Sequence, residues 1–356
     1  MLSTIIIHRK YFLVALTSGL LTSTVAHASC LNSNADSRLR AYCVAKTLED
    51  RLVTRSDAQV LDVLLKREGY ARGIGLPTQV EPTSLQPFVA PILDYNRNIN
   101  AGNPNRPLVL GGLTFTGDEE NLRKAGIVTG VGVGINGRHL YGEGRYLDFA
   151  IGASYAHSPK YDIGITRAFV NLCSRNHLQH NWYVDGCANS TRMNRDLANE
   201  TKSNLKLSTS KLFSTSRTAH HAATVGIQRY FEHDSYRQNQ LLLGWQAVRS
   251  EGFYSALNVS LGEAVSNTLA MRHNINATLG TVVFDRELTV SMNYSFSDGG
   301  ALLGVERRDT TYSATINYAI HPRVNAVLGY KRTNSSIDYF NEREPIVGIQ
   351  IAPLRF

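Results

Sequence analysis

Few residues of this chain combine a reactive type with a suggestive spacing, and the nearest to it are two histidine sites. His157 stands beside Ser158, and His220 beside His221. A histidine within reach of a hydroxyl can act as its general base, which is hydrolase chemistry. A working pair also needs a third group to orient the base, and no residue at a supporting spacing supplies one. Interfacial or loop histidines are the plainer reading, so no catalytic, cofactor-binding or metal-ligating residue is assigned and the chain is not expected to be an enzyme. The four cysteines, Cys30, Cys43, Cys173 and Cys187, are the other candidates. Their even number suits disulfides, and local pairing, Cys30 with Cys43 and Cys173 with Cys187, is the simplest arrangement. The second bond would staple a polar hairpin tip over residues 174–186. His177 and His180 lie between these two cysteines, but the spacing matches no zinc framework.

These residues must be positioned by very different segments. Residues 1–28 read as a secretory signal: His8, Arg9 and Lys10 end a basic region, an apolar stretch follows, and Ala26-His27-Ala28 is a small-x-small cleavage site. Its apolar stretch is shorter than the roughly 20 residues that cross a bilayer as a helix. Export permits the disulfides. Loss of Arg9 and Lys10 lowers the formal charge from +8 to +6, and no long Lys/Arg run singles out nucleic acid as a partner. Residues 29–75 are expected to form a periplasmic helical segment. Leu39, Tyr42, Cys43, Ala45 and Leu48 mark one helix, and Ser56-Asp57-Ala58-Gln59 has the form of a capping box for a second. Residues 76–86, with Pro77 and Pro82, read as a linker.

From residue 87 to 356 the pattern alternates. Leu288, Val290, Met292, Tyr294 and Phe296 share one phase, against Thr289, Ser291, Asn293 and Ser295. Tyr312, Ala314, Ile316 and Tyr318 repeat it, as do Leu147, Phe149, Ile151 and Tyr155, then Ile275, Ala277 and Leu279, and Val324, Ala326, Leu328 and Tyr330. Ile127, Val131, Val133 and Ile135 face Gly130, Gly132 and Gly134, the thin face of a wall. These stretches run to about ten residues, the length a tilted strand needs to cross hydrocarbon. Their polar phase holds Ser, Thr, Asn and Gly rather than the Lys/Glu mixture of a soluble surface. A sheet in hydrocarbon can leave no edge unpaired, so it must close. The fold expected is all-β: a closed antiparallel transmembrane β-barrel after a short helical segment. Candidate strands start near residues 87, 107, 122, 143, 161, 179, 200, 217, 235, 252, 269, 285, 308, 321 and 345. That set is odd, and even numbers are the rule for bacterial barrels, which selects about fourteen strands, with sixteen next.

Phe356 reads as a C-terminal assembly signal, addressed to the barrel-assembly machinery. It shares a phase with Leu354 but not with Val347, Ile349 and Ile351, so Pro353 must sit at a bulge that shifts the phase. Lys206 and Arg272 are expected to face the lumen and to give it a mild anion preference.

The stretch Pro91-Ile92-Leu93-Asp94-Tyr95-Asn96-Arg97-Asn98-Ile99-Asn100, with Pro322-Arg323-Val324, Tyr330, Asn334-Ser335, Tyr339 and Phe356 at the far end, resembles the barrel ends of the surface lipoprotein assembly modifier family. The resemblance implies an outer-membrane barrel that helps lipoproteins reach the cell surface. The family's helical-repeat domain has no counterpart in so short a helical segment. The expected function is passage across the bacterial outer membrane: export of a polypeptide or lipoprotein, or alternatively a diffusion porin, or alternatively a barrel lipid hydrolase. Outer-membrane lipids are expected partners, and no cofactor is expected. The oligomeric state is left open, as is whether the helices plug the lumen or bind a partner.

Overall fold

Alternation gives each strand one oily and one wet face, and fourteen such strands join side by side into a barrel. The computed structural model describes residues 30, 34–49, 55–70, 83–104, 106–233, 235–249 and 252–355. The signal segment, most of the linker and Phe356 lie outside the described residues. Two helices come first, α1 (Ser37–Glu49) and α2 (Arg55–Arg67). The wall follows as β1 (Thr83–Asn96), then, after a short pair β2 (Leu108–Leu110) and β3 (Leu113–Phe115), β4 (Gly126–Gly142), β5 (Arg145–Ser158), β6 (Ile163–His177) and β7 (Trp182–Asn194). It continues through β8 (Asn199–Ser214), β9 (Ala219–Glu232), β10 (Tyr236–Arg249), β11 (Tyr254–Gly262) and β12 (Ala270–Val283). β13 (Arg286–Leu302), β14 (Val305–His321), β15 (Val324–Ser335), β16 (Glu342–Ile351) and β17 (Leu354–Arg355) complete it. Each wall strand pairs antiparallel with the next, and β17, a continuation of β16, returns to β1.

Two boundaries differ from the sequence reading. β1 begins at Thr83, so residues 83–86 belong to the wall rather than the linker. The strand expected near residue 107 is not in the wall: β2 and β3 pair only with each other, in the loop between β1 and β4. Gly111 and Gly112 turn this hairpin with φ of 57° and 79°, the two positive values that a two-residue turn of this type requires. Removing that false strand makes the odd set even.

The seam is short. Among the described residues, only Phe88 with Arg355 and Val89 with Leu354 form ladder pairs across it. The strand breaks at Ala352 and Pro353, and the break shifts the phase as expected: Leu354 pairs with Val89, on the same outer phase as Val133.

The outer phase is a belt of exposed apolar side chains, among them Val133, Ile151, Leu172, Leu205, Ile227, Leu243, Met292, Ile316, Leu328 and Val347. So continuous an apolar exterior suits hydrocarbon, not water. On the inner phase the ring of Phe88 lies over Gly134, where a Cβ would come within 2.5 Å of it.

One end of the barrel carries tight turns such as Glu143–Gly144 and Phe284–Asp285; the other carries the long loop 97–125. Short turns mark the periplasmic end of such barrels. Fully buried Asn100 organises the long loop, accepting from the backbone N–H of Gly102 and Lys124 and donating to the Leu122 carbonyl. The polar group Asp94, Tyr95, Asn96, Asn98 and Asn100 thus serves turn geometry, as its composition suggests.

The helical segment does not hang beneath the barrel. α1 and α2 enter the lumen from the short-turn end, and their apolar residues Leu39, Cys43, Val44, Leu61 and Leu64 pack against Tyr183, Leu212, Ala222, Val248, Tyr254 and Ala256 of the wall. The carboxylate of Asp36 accepts the backbone N–H of Arg38 and so caps α1. α2 begins at Arg55, one residue before the serine expected to cap it. It ends in a Schellman turn: Gly69, at φ 79°, donates to Lys66, and Tyr70 donates to Leu65. Gly69 also accepts from the N–H of Gly144, and a Cβ there would lie 2.9 Å from Leu140. Glycine lets the helix end touch the wall.

Candidate functional site

The lumen has two unlike sides. On the β4–β7 side, charged residues of the inner phase form a continuous ladder. Arg138 Nε donates to Asp148 at 2.7 Å, Arg175 reaches both Asp148 at 3.8 Å and Asp185 at 3.1 Å, and Asp185 receives a bidentate pair from Arg38 of α1 at 2.9 Å. Arg38 also lies 3.3 Å from Glu68, which accepts the Tyr146 hydroxyl at 2.7 Å. Arg38, Glu68, Tyr146 and Asp185 are all buried. Burial works against the Arg38 charge, but the Asp185 carboxylate, together with Tyr146 and Glu68, outweighs it and holds the guanidinium above its ordinary range. Burial also raises the Tyr70 phenol, helped by neighbouring Tyr183, so it stays neutral. Elsewhere the plug is tied by Asn34 to Thr289 at 2.8 Å and by the backbone N–H of Asp36 to Gln246 at 3.1 Å.

On the β11–β16 side the mid-wall of the inner phase carries Asn258, Asn274, Asn276, Thr278, Ser291, Asn293, Ser313, Thr315, Asn317 and Asn325, with charged Glu287, Asp309, Lys331 and Glu344 nearer the strand ends, read from the cross-strand register. Amides and hydroxyls bond one another there: Asn293 to Asn274 at 2.8 Å, Thr278 with Ser291 at 3.2 Å, Thr311 with Thr333 at 3.0 Å. Between this wall and the plug lies a cavity of about 350 Å³, lined by Asn34, Thr278, Glu287, Ser291, Asn317 and Gln350 among others. A larger hollow of about 950 Å³ lies mainly against the outer phase, lined by Leu172, Leu205, Ile227 and Leu241, and faces lipid rather than solute.

The sequence-named residues fall into place unevenly. Both local disulfides form, Cys30–Cys43 and Cys173–Cys187. The second does not staple a loop tip: Cys173 and Cys187 are direct partners within β6 and β7, and the turn itself is confined to residues 178–181. Bonded sulfurs leave no thiolate pair for zinc. Lys206 lies on the inner phase opposite Cys187 and Gln228, with no ion pair among the described residues. Arg272 sits at a bulge of β12 and is paired with Asp298 at 3.6 Å, so it is not the free cation that an anion preference needs.

His157 and Ser158 cannot act together. Adjacent strand residues point to opposite faces, and the His157 ring lies instead 3.6 Å from exposed Asp162. His220 and His221 likewise divide. His220 faces the lumen and shares a 2.8 Å hydrogen bond with Ser214, which also donates to the Tyr42 hydroxyl at 3.2 Å. His221 bonds Thr215 at 2.7 Å on the other face. The hydroxyl partners across the 215–218 turn were missed in the sequence, although hairpin register makes them neighbours. The other ring nitrogen of His220 is buried without a hydrogen-bond partner, so among the described residues no carboxylate orients it as a base.

The geometry defines a transmembrane β-barrel with an internal helical plug. No family model matches this sequence, and no curated protein matches it either. Nothing supports the lipoprotein-assembly resemblance. Among solved structures it is similar to Acinetobacter baumannii OccAB4 (8% identity, TM-score 0.41, 79% of this chain and 100% of that one). It is similar also to Pseudomonas aeruginosa OprD (8%, 0.39, 81% and 98%) and to OpdK with vanillate, from the same species (7%, 0.39, 76% and 98%). No residue role is carried over from them.

Proposed function

We propose that this protein is a plugged diffusion channel of a bacterial outer membrane, passing small polar solutes between the helical plug and the amide-lined β11–β16 wall. The observation that carries this reading is the 350 Å³ polar cavity beside the plug, of the size that holds a small molecule. The alternating belt and the signal-like leader favour the outer membrane. Polypeptide export, the first expectation from the sequence, has no support in a lumen whose short-turn mouth is occupied along β5–β11 by packed helices. The anion preference is not retained, because Arg272 is neutralised and Lys206 lies on the charged side beside Asp185 and Arg175.

Single-channel recording in planar bilayers tests this. Small, stable conductance steps from the full-length protein are expected, and liposomes containing it should swell in neutral sugars. Sealed membranes with both the full-length protein and a plug-deleted form would overturn the channel reading.

A further inference from the structure

Arg332 on β15 and Arg343 on β16 are direct cross-strand partners. Both are exposed, and both lie on the outer phase with Leu328, Tyr330, Val347 and Ile349. One step along, on the inner phase, Lys331 faces Glu344 with a 3.4 Å ion pair. The lumen side of this ladder is therefore charge-matched, while the outer side sets two cations against each other, an arrangement that destabilises a sheet. Arg332 Nε donates to Asn334 at 2.8 Å, and among the described residues neither arginine has a carboxylate partner. Arg308, at the same end of neighbouring β14, is paired with exposed Glu306 at 3.0 Å.

Other outward arginines at this end do not raise the same question. Arg229 and Arg237 lie 5.8 and 6.0 Å from the ring of Phe231, and Arg229 faces Asn239 rather than a cation. Lone arginines at a membrane edge also need no partner, since they extend to water. A directly opposed pair is different.

Depth fixes the occupant. The pair lies one outward-facing step beyond Tyr330 and Pro345, about 5 Å along the axis for a tilted strand. Tyrosines of a barrel girdle sit at the headgroup boundary, so the two guanidinium groups reach the headgroup layer at the long-loop end. We propose that Arg332 and Arg343 form an external site for the phosphate of an anionic outer-leaflet glycolipid, whose oxygens bridge the two guanidinium groups. Guanidinium forks match phosphate oxygens bidentately, and the bridging anion turns mutual repulsion into shared attraction. The site rests on the barrel lying in a bilayer and not on what crosses its lumen.

The test is native mass spectrometry of the detergent-purified full-length protein titrated with bisphosphorylated lipid A, with its dephosphorylated form, and with inorganic phosphate. The wild type should retain bisphosphorylated lipid A, and R332Q/R343Q should retain it about tenfold less, as loss of charge-assisted bonds implies. The dephosphorylated lipid should bind both proteins equally weakly. In lipid-free detergent the double variant should melt no lower than the wild type, because its removal relieves repulsion; this also establishes that it folds. Equal retention by the two proteins, or equally tight binding of the dephosphorylated lipid, would overturn the proposal. Complete displacement of the lipid by inorganic phosphate would assign the site to free phosphate and overturn the lipid as its source.

Discussion

The two sides of the lumen use polar chemistry for different ends. On the β4–β7 side the charges are buried or half-buried, paired in series and committed to the plug through Arg38, Asp185, Glu68 and Tyr146. On the β11–β16 side the groups in mid-wall are mainly uncharged and bonded to one another, with ion pairs such as Lys331–Glu344 and Arg307–Asp309 toward the long-loop end and a cavity, which Glu287 also lines, in front of them. Buried charges are costly unless paired, and their partners must be well placed, so they suit anchoring. Amides and hydroxyls exchange partners with water or solute at little cost, so they suit transit. Beside the plug, then, paired charge is a fastening, and the neutral mid-wall opposite is a path.

Four experiments test that contrast. Deleting residues 30–70 should give the largest effect: two helices, each about 10 Å across, leave the lumen, and single-channel conductance should rise several-fold. An unchanged conductance would mean that the plug does not limit passage. Next, R38M should loosen the plug by about 3 kcal/mol, the cost of leaving a buried charge without its main partner. Hydrogen exchange across α1 would measure it, and pairing R38M with D185N should recover part of the loss. Third, N276D adds a carboxylate among the amides of the mid-wall and should shift reversal potentials in a salt gradient toward cations. Smallest of all, K206Q on the anchoring side should leave ion selectivity nearly unchanged. If K206Q moved selectivity more than N276D, the assignment of the two sides would be reversed.

Much of the wall is legible in the sequence because hydrophobic alternation is local. The phases of β4, β5, β13, β14 and β15 hold, and so does the shift at Pro353. Both disulfides were legible because their partners lie close in sequence. The hairpin near residue 107 is legible on the same local ground, since Gly111-Gly112 between short apolar runs signals a two-residue turn rather than a wall strand. The separation of His157 from Ser158 also follows from strand geometry alone. The plug's place was not legible. Arg38 meets Asp185 across 147 positions, and no local pattern in α1 distinguishes a lumen wall from any other polar partner. The exposed face of an amphipathic helix looks the same in both settings until the register of distant strands is known.

The narrow join at β17 has its own consequence. Among the described residues two, Leu354 and Arg355, hold what every other joint holds with a far longer ladder, and nearby Pro87 and Pro91 offer no N–H to reinforce it. Under heat or pulling force the cylinder should unzip there first, as a jacket opens at its clasp, while the rest of the cloth stays whole.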